Sequence, residues 1–277
     1  MASPYLPAPK QRWSHATNSL KRLLQALEDD KITAIEADFL MGHVIGQPSS
    51  RIEAVATHPP STESDLSAKR FLDLVTDDTG SQTLKKHIKL DFKKMEVLKP
   101  ILRLLNIFFS ESIQESTRPK KVVLLNADIF QGPGCRDLDD CVDPDSFIEE
   151  CLGVLCPLWE QEVVQPFALS LGFKVNYKSE DYYTDEDVSK LESLVLNKGL
   201  HELPLGLVFT VNARLLALNV SAFDSTLRRF NHAQLQAWTG TGEPPIAMST
   251  IREIQSHFLK VGLASRLGFD CDIDESS

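Results

Sequence analysis

No run of apolar residues in this 277-residue chain approaches the roughly 18 that a membrane-spanning helix needs. Its opening, Met1 to Gln11, carries Pro4, Pro7 and Pro9 where a secretory leader has an apolar centre,. Glycine-rich phosphate loops are missing as well: neither G-x-G-x-x-G nor a Walker-type motif occurs,. The five cysteines, Cys135, Cys141, Cys151, Cys156 and Cys271, form neither a C-x₂-C pair nor a dense disulfide framework,. That argues against zinc and leaves reduced thiols as the expectation, although Cys135 and Cys141 could bridge in an oxidising compartment. Basic charge is in short supply, with 29 Lys and Arg against 39 Asp and Glu and a formal charge of −10. No broad surface for nucleic acid or anionic membrane is therefore expected. Together these absences predict a soluble protein of the cytoplasm or nucleus. Its 42% hydrophobic and 25% charged residues are ordinary for a globular chain able to bury a large core.

What is present is organised around Thr33-Ala34-Ile35-Glu36-Ala37-Asp38-Phe39, an apolar run broken by two carboxylates two positions apart. As a strand, its period of two puts Glu36 and Asp38 on one face. Adjacent anions repel, and a divalent cation that takes oxygen ligands, Mg²⁺ or Ca²⁺, stabilises such a pair. One carboxylate in solvent and the other in a salt bridge would account for the pattern equally well.

Ahead of this run, Trp13 to Ala16 reads as a short strand, and Asn18 or Ser19 caps a helix to about Asp30,. After it, Met41 to Arg51, with Gly42, Gly46 and Pro48, reads as a turn or loop,. Ile52 to Thr57 reads as a strand delivering His58, and Ser64 to Val75 as a helix. His87 to Lys93 alternates, with Ile88, Leu90 and Phe92 facing one way and Lys89, Asp91 and Lys93 the other,. A helix over Val97 to Phe109 leads to Lys121–Ile129, whose four consecutive apolar residues mark a strand buried on both faces,. Further strands are predicted at Pro166 to Phe173, Leu205 to Val211, Ala233 to Trp238 and near Leu263 to Cys271. The remaining helices fall at Pro144 to Leu155, Thr184 to Lys198, near Ala222 to Phe230, and at Ser249 to Lys260.

Leaving aside the short segment before His58, eight strands alternate with helices, which predicts an α/β protein with a single (β/α)₈ TIM barrel over residues 13–272. Residues 1–12 would be a flexible lead and 273–277 an acidic tail. An open doubly wound sheet is the alternative, but it would call for the missing phosphate loop. Catalytic groups of such barrels sit at the C-terminal ends of the strands. The polar residues gather there: His15, Glu36, Asp38, Asp91, Lys93, Asn126, Asp128, Asn212 and Trp238.

Five segments carry a resemblance: Trp13-Ser14-His15-Ala16-Thr17-Asn18-Ser19, Ile35-Glu36-Ala37-Asp38, Thr57-His58-Pro59-Pro60, Ile88-Lys89-Leu90-Asp91-Phe92-Lys93 and Leu125-Asn126-Ala127-Asp128-Ile129. In that order they resemble the motif set of the menorin family, itself similar to the glycerophosphodiester phosphodiesterases and the spider-venom phospholipase D enzymes. The likeness runs from Trp13 to about Gly172 and continues more faintly through Ala237-Trp238-Thr239-Gly240. It implies a metal-dependent barrel phosphodiesterase with His15 and His58 as acid and base. Glu36, Asp38 and Asp91 would hold Mg²⁺, with Ca²⁺ or Mn²⁺ as alternatives, and Lys93 would contact the phosphate. Asn126, Asp128, Asn212 and Trp238 would bind substrate. Ala16 and Thr17 stand where glycerophosphodiesterases continue His-Arg-Gly, and Asp91 where they usually have a glutamate. Both departures favour the menorin and venom-enzyme side.

Such a constellation suits phosphodiester cleavage on chemical grounds. Charge gathers on phosphoryl oxygens, which a carboxylate-held metal and a lysine can stabilise, while one imidazole takes a proton and another gives one. By resemblance, a neighbouring substrate hydroxyl attacks and forms a cyclic phosphate on a lipid, nucleotide or RNA. A monomer is expected. A silent barrel that keeps the motif as a binding or scaffolding protein is the competing reading. His43, His87, His201, His232 and His257 read as structural, and Lys85-Lys86 and Lys120-Lys121 as solvated. Asp137, Asp139, Asp140, Asp143 and Asp145 read as an acidic solvated loop, and Trp238 as core packing or a pocket wall.

Overall fold

The protein is described by a computed structural model covering residues 11–48, 51–76, 84–110, 121–136, 141–159, 167–203 and 206–274. Most of the N-terminal lead, Asp137, Asp139 and Asp140 of the acidic loop, Lys120, and residues 275–277 of the tail lie outside it. In chain order the elements are β1 (Trp13–Ser14), α1 (Leu20–Glu28), β2 (Ala34–Val44), β3 (Glu53–Ala56), β4 (Glu63–Ser64), α2 (Ala68–Val75), β5 (His87–Phe92) and α3 (Met95–Ser110). There follow β6 (Val123–Gln131), α4 (Pro144–Trp159), β7 (Phe167–Lys174), α5 (Asp185–Asn197), β8 (Gly206–Asn212), α6 (Ala213–Leu218), α7 (Asp224–Arg229), β9 (Ala233–Trp238), β10 (Ile246–Ala247), α8 (Met248–Lys260), β11 (Leu267–Asp270) and β12 (Ile273–Asp274).

Eight of these strands follow one another in a single sheet as β1-β2-β5-β6-β7-β8-β9-β11, which is also their order in the chain. The registered neighbours along it are parallel, and a helix lies between each strand and the next. That is the (β/α)₈ arrangement. Among the described residues no helix is long and apolar enough to cross a membrane.

The chain falls into two compact units, one of Trp13–Ala127 with Val142–Phe167, the other of Asp128–Cys141 with Ala168–Ser277. In the first, Phe39 packs edge-on against Phe71 (5.5 Å) and Phe92 lies tilted against Phe147 (6.0 Å), which ties β2 to α2 and β5 to α4. In the second, Phe173, Tyr183 and Phe223 form a buried aromatic cluster. There the Tyr183 hydroxyl accepts the Asn212 backbone N–H at 2.8 Å. Burial pushes that phenol well above its ordinary range, so it stays neutral.

Three sequence expectations change. Met41 to Arg51 is not simply a loop, because β2 runs on through Val44 and pairs antiparallel with β3. Gly42 makes this close approach practicable: a Cβ there would lie 2.1 Å from Thr62 O and 2.8 Å from Val55 Cγ2. Gly42→Ala should therefore overpack the hairpin and destabilise the fold by about 1–3 kcal/mol. It would be read as a lower urea midpoint at constant slope, and an unmoved midpoint would refute the steric account. Second, α2 begins at Ala68 under a Ser67 cap, since Ser64 is taken up pairing with β2. Third, Lys86 is not solvated. It is 8% exposed and donates to Asp29 O at 2.6 Å and Ile32 O at 2.7 Å.

All six residues of β5 are buried, so its polar positions are held inside the fold. His87 accepts the Val122 N–H on Nδ1 at 3.0 Å, which requires an unprotonated Nδ1. Burial, then the nearby Lys121 charge, push its pKa from 6.5 down to about 4. Between those values the unfolded chain binds a proton that the folded chain refuses. The stability that His87 contributes is thus present above pH 6.5 and lost as pH falls through 4, on the order of 3 kcal/mol. Stability profiles of wild type and His87→Gln should differ by one proton in that window, and identical profiles would disprove the linkage.

Candidate functional site

The site is built in the first unit from the N-terminal half of β2, where it pairs with β5, and from the C-terminal end of β5. Their parallel register puts Asp38 beside Asp91 and Glu36 beside Lys89. Glu36 and Asp38 share a face, as the period of two requires. Ligand atoms of Glu36, Asp38 and Asp91 lie within 4.8 Å of one another, and all three residues are buried. Oxygens on opposite sides of one hard cation lie about 4 to 5 Å apart, twice its bond length. The donor set therefore fits Mg²⁺ or Ca²⁺.

Electrostatics point the same way. Burial and the adjacent Asp38 charge raise Glu36 from 4.5 to about 7, against smaller pulls from His15 and Lys89. Burial would raise Asp38 too, but the Lys93 charge and hydrogen bond, with a hydrogen bond from Asn18, outweigh it and hold Asp38 below its ordinary value. Lys93 Nζ lies 2.8 Å from Asp38 Oδ1 and 2.6 Å from Asp91 Oδ2. With all groups ionised the three carboxylates outnumber the two nearby ammonium groups, Lys93 and Lys89, so the cluster keeps a net negative charge that a cation would offset. Asn126 completes the cluster, donating from Nδ2 to Asp91 Oδ1 at 2.9 Å.

The two histidines have different settings. His15 follows β1, and its Nδ1 is 3.5 Å from Glu36 Oε2. His58 follows β3, whose end is tied to β2 by Thr57 N–H donating to Asp38 O at 2.9 Å. His58 Nδ1 is 2.7 Å from Pro59 O. A carbonyl can only accept, so Nδ1 carries a hydrogen, which in the neutral ring leaves the lone pair on Nε2.

A sequence model of the menorin N-terminal domain matches residues 9–262. The chain belongs to the menorin family. Protein FAM151B of Homo sapiens is similar to this menorin-family chain, 27% identical over 253 residues, which is 90% of this chain and 79% of that protein.

The other substrate-binding candidates of this menorin chain lie in the second unit. Asp128 is half-buried on β6. Asn212 caps α6 through Oδ1 and donates from Nδ2 to Glu243 Oε1 at 2.8 Å. Glu243 also accepts the Gly240 N–H at 2.8 Å and pairs with Arg214 at 3.4 Å. Half-buried Trp238 ends β9 and has its ring within reach of Gly240. Neither Glu243 nor Arg214 stood out in the sequence, because isolated charges in a loop and a helix carry no pattern. Of the two helix-cap candidates, Asn18 and Ser19, it is Ser19 that caps α1, and Asn18 faces Asp38, donating from Nδ2 to Oδ2 at 2.6 Å. Two of the structural histidines have partners of their own: His43 meets Arg51 O and His257 meets Asp224.

Proposed function

We propose that this chain is a Mg²⁺-dependent phosphodiesterase. The observation that carries the reading is the buried carboxylate triad, with Lys93 bridging Asp38 and Asp91 and two histidines at adjoining loop positions. The resemblance to glycerophosphodiester phosphodiesterases and venom phospholipase D enzymes supports it. Glu36, Asp38 and Asp91 would hold the cation, which when bound would stabilise charge on the phosphoryl oxygens.

The remaining work falls to the chain's own side chains. Lys93 neutralises a non-bridging phosphate oxygen at the pocket where Asp38 and Asp91 already fix its ammonium,. His58 presents Nε2 as the base for the attacking hydroxyl, its ring set by Pro59 O. His15, beside Glu36, supplies the proton to the leaving oxygen. A neighbouring hydroxyl of the substrate is the nucleophile, so the first product is a cyclic phosphate.

A screen of purified protein against phosphodiesters, including 2′,3′-cyclic nucleotides and lysophospholipids, with Mg²⁺ and with EDTA, tests this. Turnover that needs Mg²⁺ supports it. Failure on every diester with metal present would favour the silent binding or scaffolding reading.

A further inference from the structure

The segment between β1 and α1 holds an uncommon backbone conformation beside the triad. Ala16 has φ 48°, the only non-glycine residue with positive φ among the described residues. An L-residue with a Cβ enters this region at a cost, and such outliers persist where the surroundings fix them. Here the surroundings are the metal-ligand candidates. Ala16 N–H donates to Glu36 Oε2 at 2.6 Å, and Thr17 N–H to Glu36 O at 2.8 Å. Asn18 then makes a reciprocal pair with Asp38: its Nδ2 donates to Oδ2 at 2.6 Å, and its Oδ1 accepts the Asp38 N–H at 2.9 Å.

The segment is itself braced from several sides. Asn18 N–H closes a tight turn onto Ala16 O at 2.8 Å, and Thr17 Oγ1 donates to Ser14 O at 2.9 Å. Ser64 Oγ donates to Asn18 O at 3.1 Å, and Arg22 to His15 O at 3.0 Å. Ala16 and Thr17 are buried. A loop held this tightly that hydrogen-bonds both carboxylates of β2 fixes which of their oxygens remain to face a cation.

We propose that residues 15–18 form a bracket that orients Glu36 and Asp38, with Asn18 the positioning residue for Asp38. This rests on the metal-site reading above and adds to it a residue that touches neither substrate nor cation. Partners in this position orient ligand carboxylates, and losing one typically weakens metal binding about 10- to 100-fold. The same bracket carries His15, so it sets the acid and the ligands in one frame.

The test is calorimetric Mg²⁺ titration of wild type and Asn18→Ala, with melting temperatures measured without metal. The expected result is a 10- to 100-fold weaker Mg²⁺ affinity in Asn18→Ala with unchanged stoichiometry. A purely structural Asn18 would lower the melting temperature and leave the affinity of the folded fraction within about threefold, which overturns the proposal. If Asn18→Ala does not fold, Asn18→Ser, which removes the amide donor and keeps a polar group, carries the same expectation. Should wild type itself bind no Mg²⁺, the metal reading falls, and the bracket is judged by a cycle of Asn18→Ala, Asp38→Asn and the double variant. Melting shifts smaller in the double than the sum of the singles then support it, and additive shifts sink it.

Discussion

His15→Ala and His58→Ala should each lower Mg²⁺-dependent diester turnover by about 10²- to 10⁴-fold, the range for a positioned acid or base. The fold should survive both. His15 is 29% exposed at its side chain, and His58 is exposed with Pro59 O as its ring partner. Neither substitution leaves a large cavity, so melting temperatures should stay within a few degrees of wild type. Mg²⁺ affinity should also persist, because the ligand oxygens come from other residues. The variants should differ in their pH–rate profiles. At saturating Mg²⁺, where proton competition at Glu36 no longer limits metal binding, loss of the His58 base should remove the rising acidic limb and loss of the His15 acid the falling alkaline one. Wild-type rates in both would remove the imidazole pair from the mechanism, and an equal collapse of Mg²⁺ binding would mean that the histidines serve the metal site instead.

The barrel could be read from the sequence because apolar strand segments alternate with helical ones along the chain, and helices such as α1 and α2 have a strong one-sided pattern. The region around Gly42 could not. A glycine and a nearby proline signal a turn when only local conformation is weighed. Here the glycine serves a close approach to Thr62 O, a tertiary demand with no local trace. The boundary of α2 was misplaced for a similar reason, since Ser64 is recruited to a strand pairing that its own neighbours do not suggest.

At the site, the spacing of Glu36 and Asp38 predicted a shared face because strand geometry is strictly periodic. That Asp91 would stand directly beside Asp38 follows from the β2–β5 register, which sequence patterning cannot supply for two strands buried on both faces. The loop that holds Glu36 and Asp38 was less legible still. Ala16 has no side-chain polarity to draw attention, and its part is played by a backbone N–H in an unusual conformation. Asn18 and Ser19 are equal cap candidates by sequence, as helix caps and loop brackets draw on the same residue types.

The carboxylates carry the second large effect. Asp38→Asn should weaken Mg²⁺ binding by at least about 10²-fold, since it removes a ligand charge from a site where both Asp91 oxygens already have partners in Lys93 and Asn126,. Binding to the wild type should depend on pH through Glu36. Its folded value of about 7 means that a proton competes with the cation below neutrality. Affinity should therefore rise close to tenfold per pH unit up to about pH 7 and level off above it. Without metal, the sign for stability is the reverse. Glu36 binds a proton more tightly folded than unfolded, so its contribution is present below pH 4.5 and is lost as pH rises through 7. This opposes the His87 contribution over the shared window, so the two partly cancel in wild type and separate in Glu36→Gln and His87→Gln. Added Mg²⁺ should then restore stability most at high pH, by about 2.7 kcal/mol when present at 100 times its dissociation constant. A melting temperature that responds to Mg²⁺ equally at pH 5.5 and pH 8, or an Asp38→Asn affinity equal to wild type, would show that these three carboxylates do not share a cation.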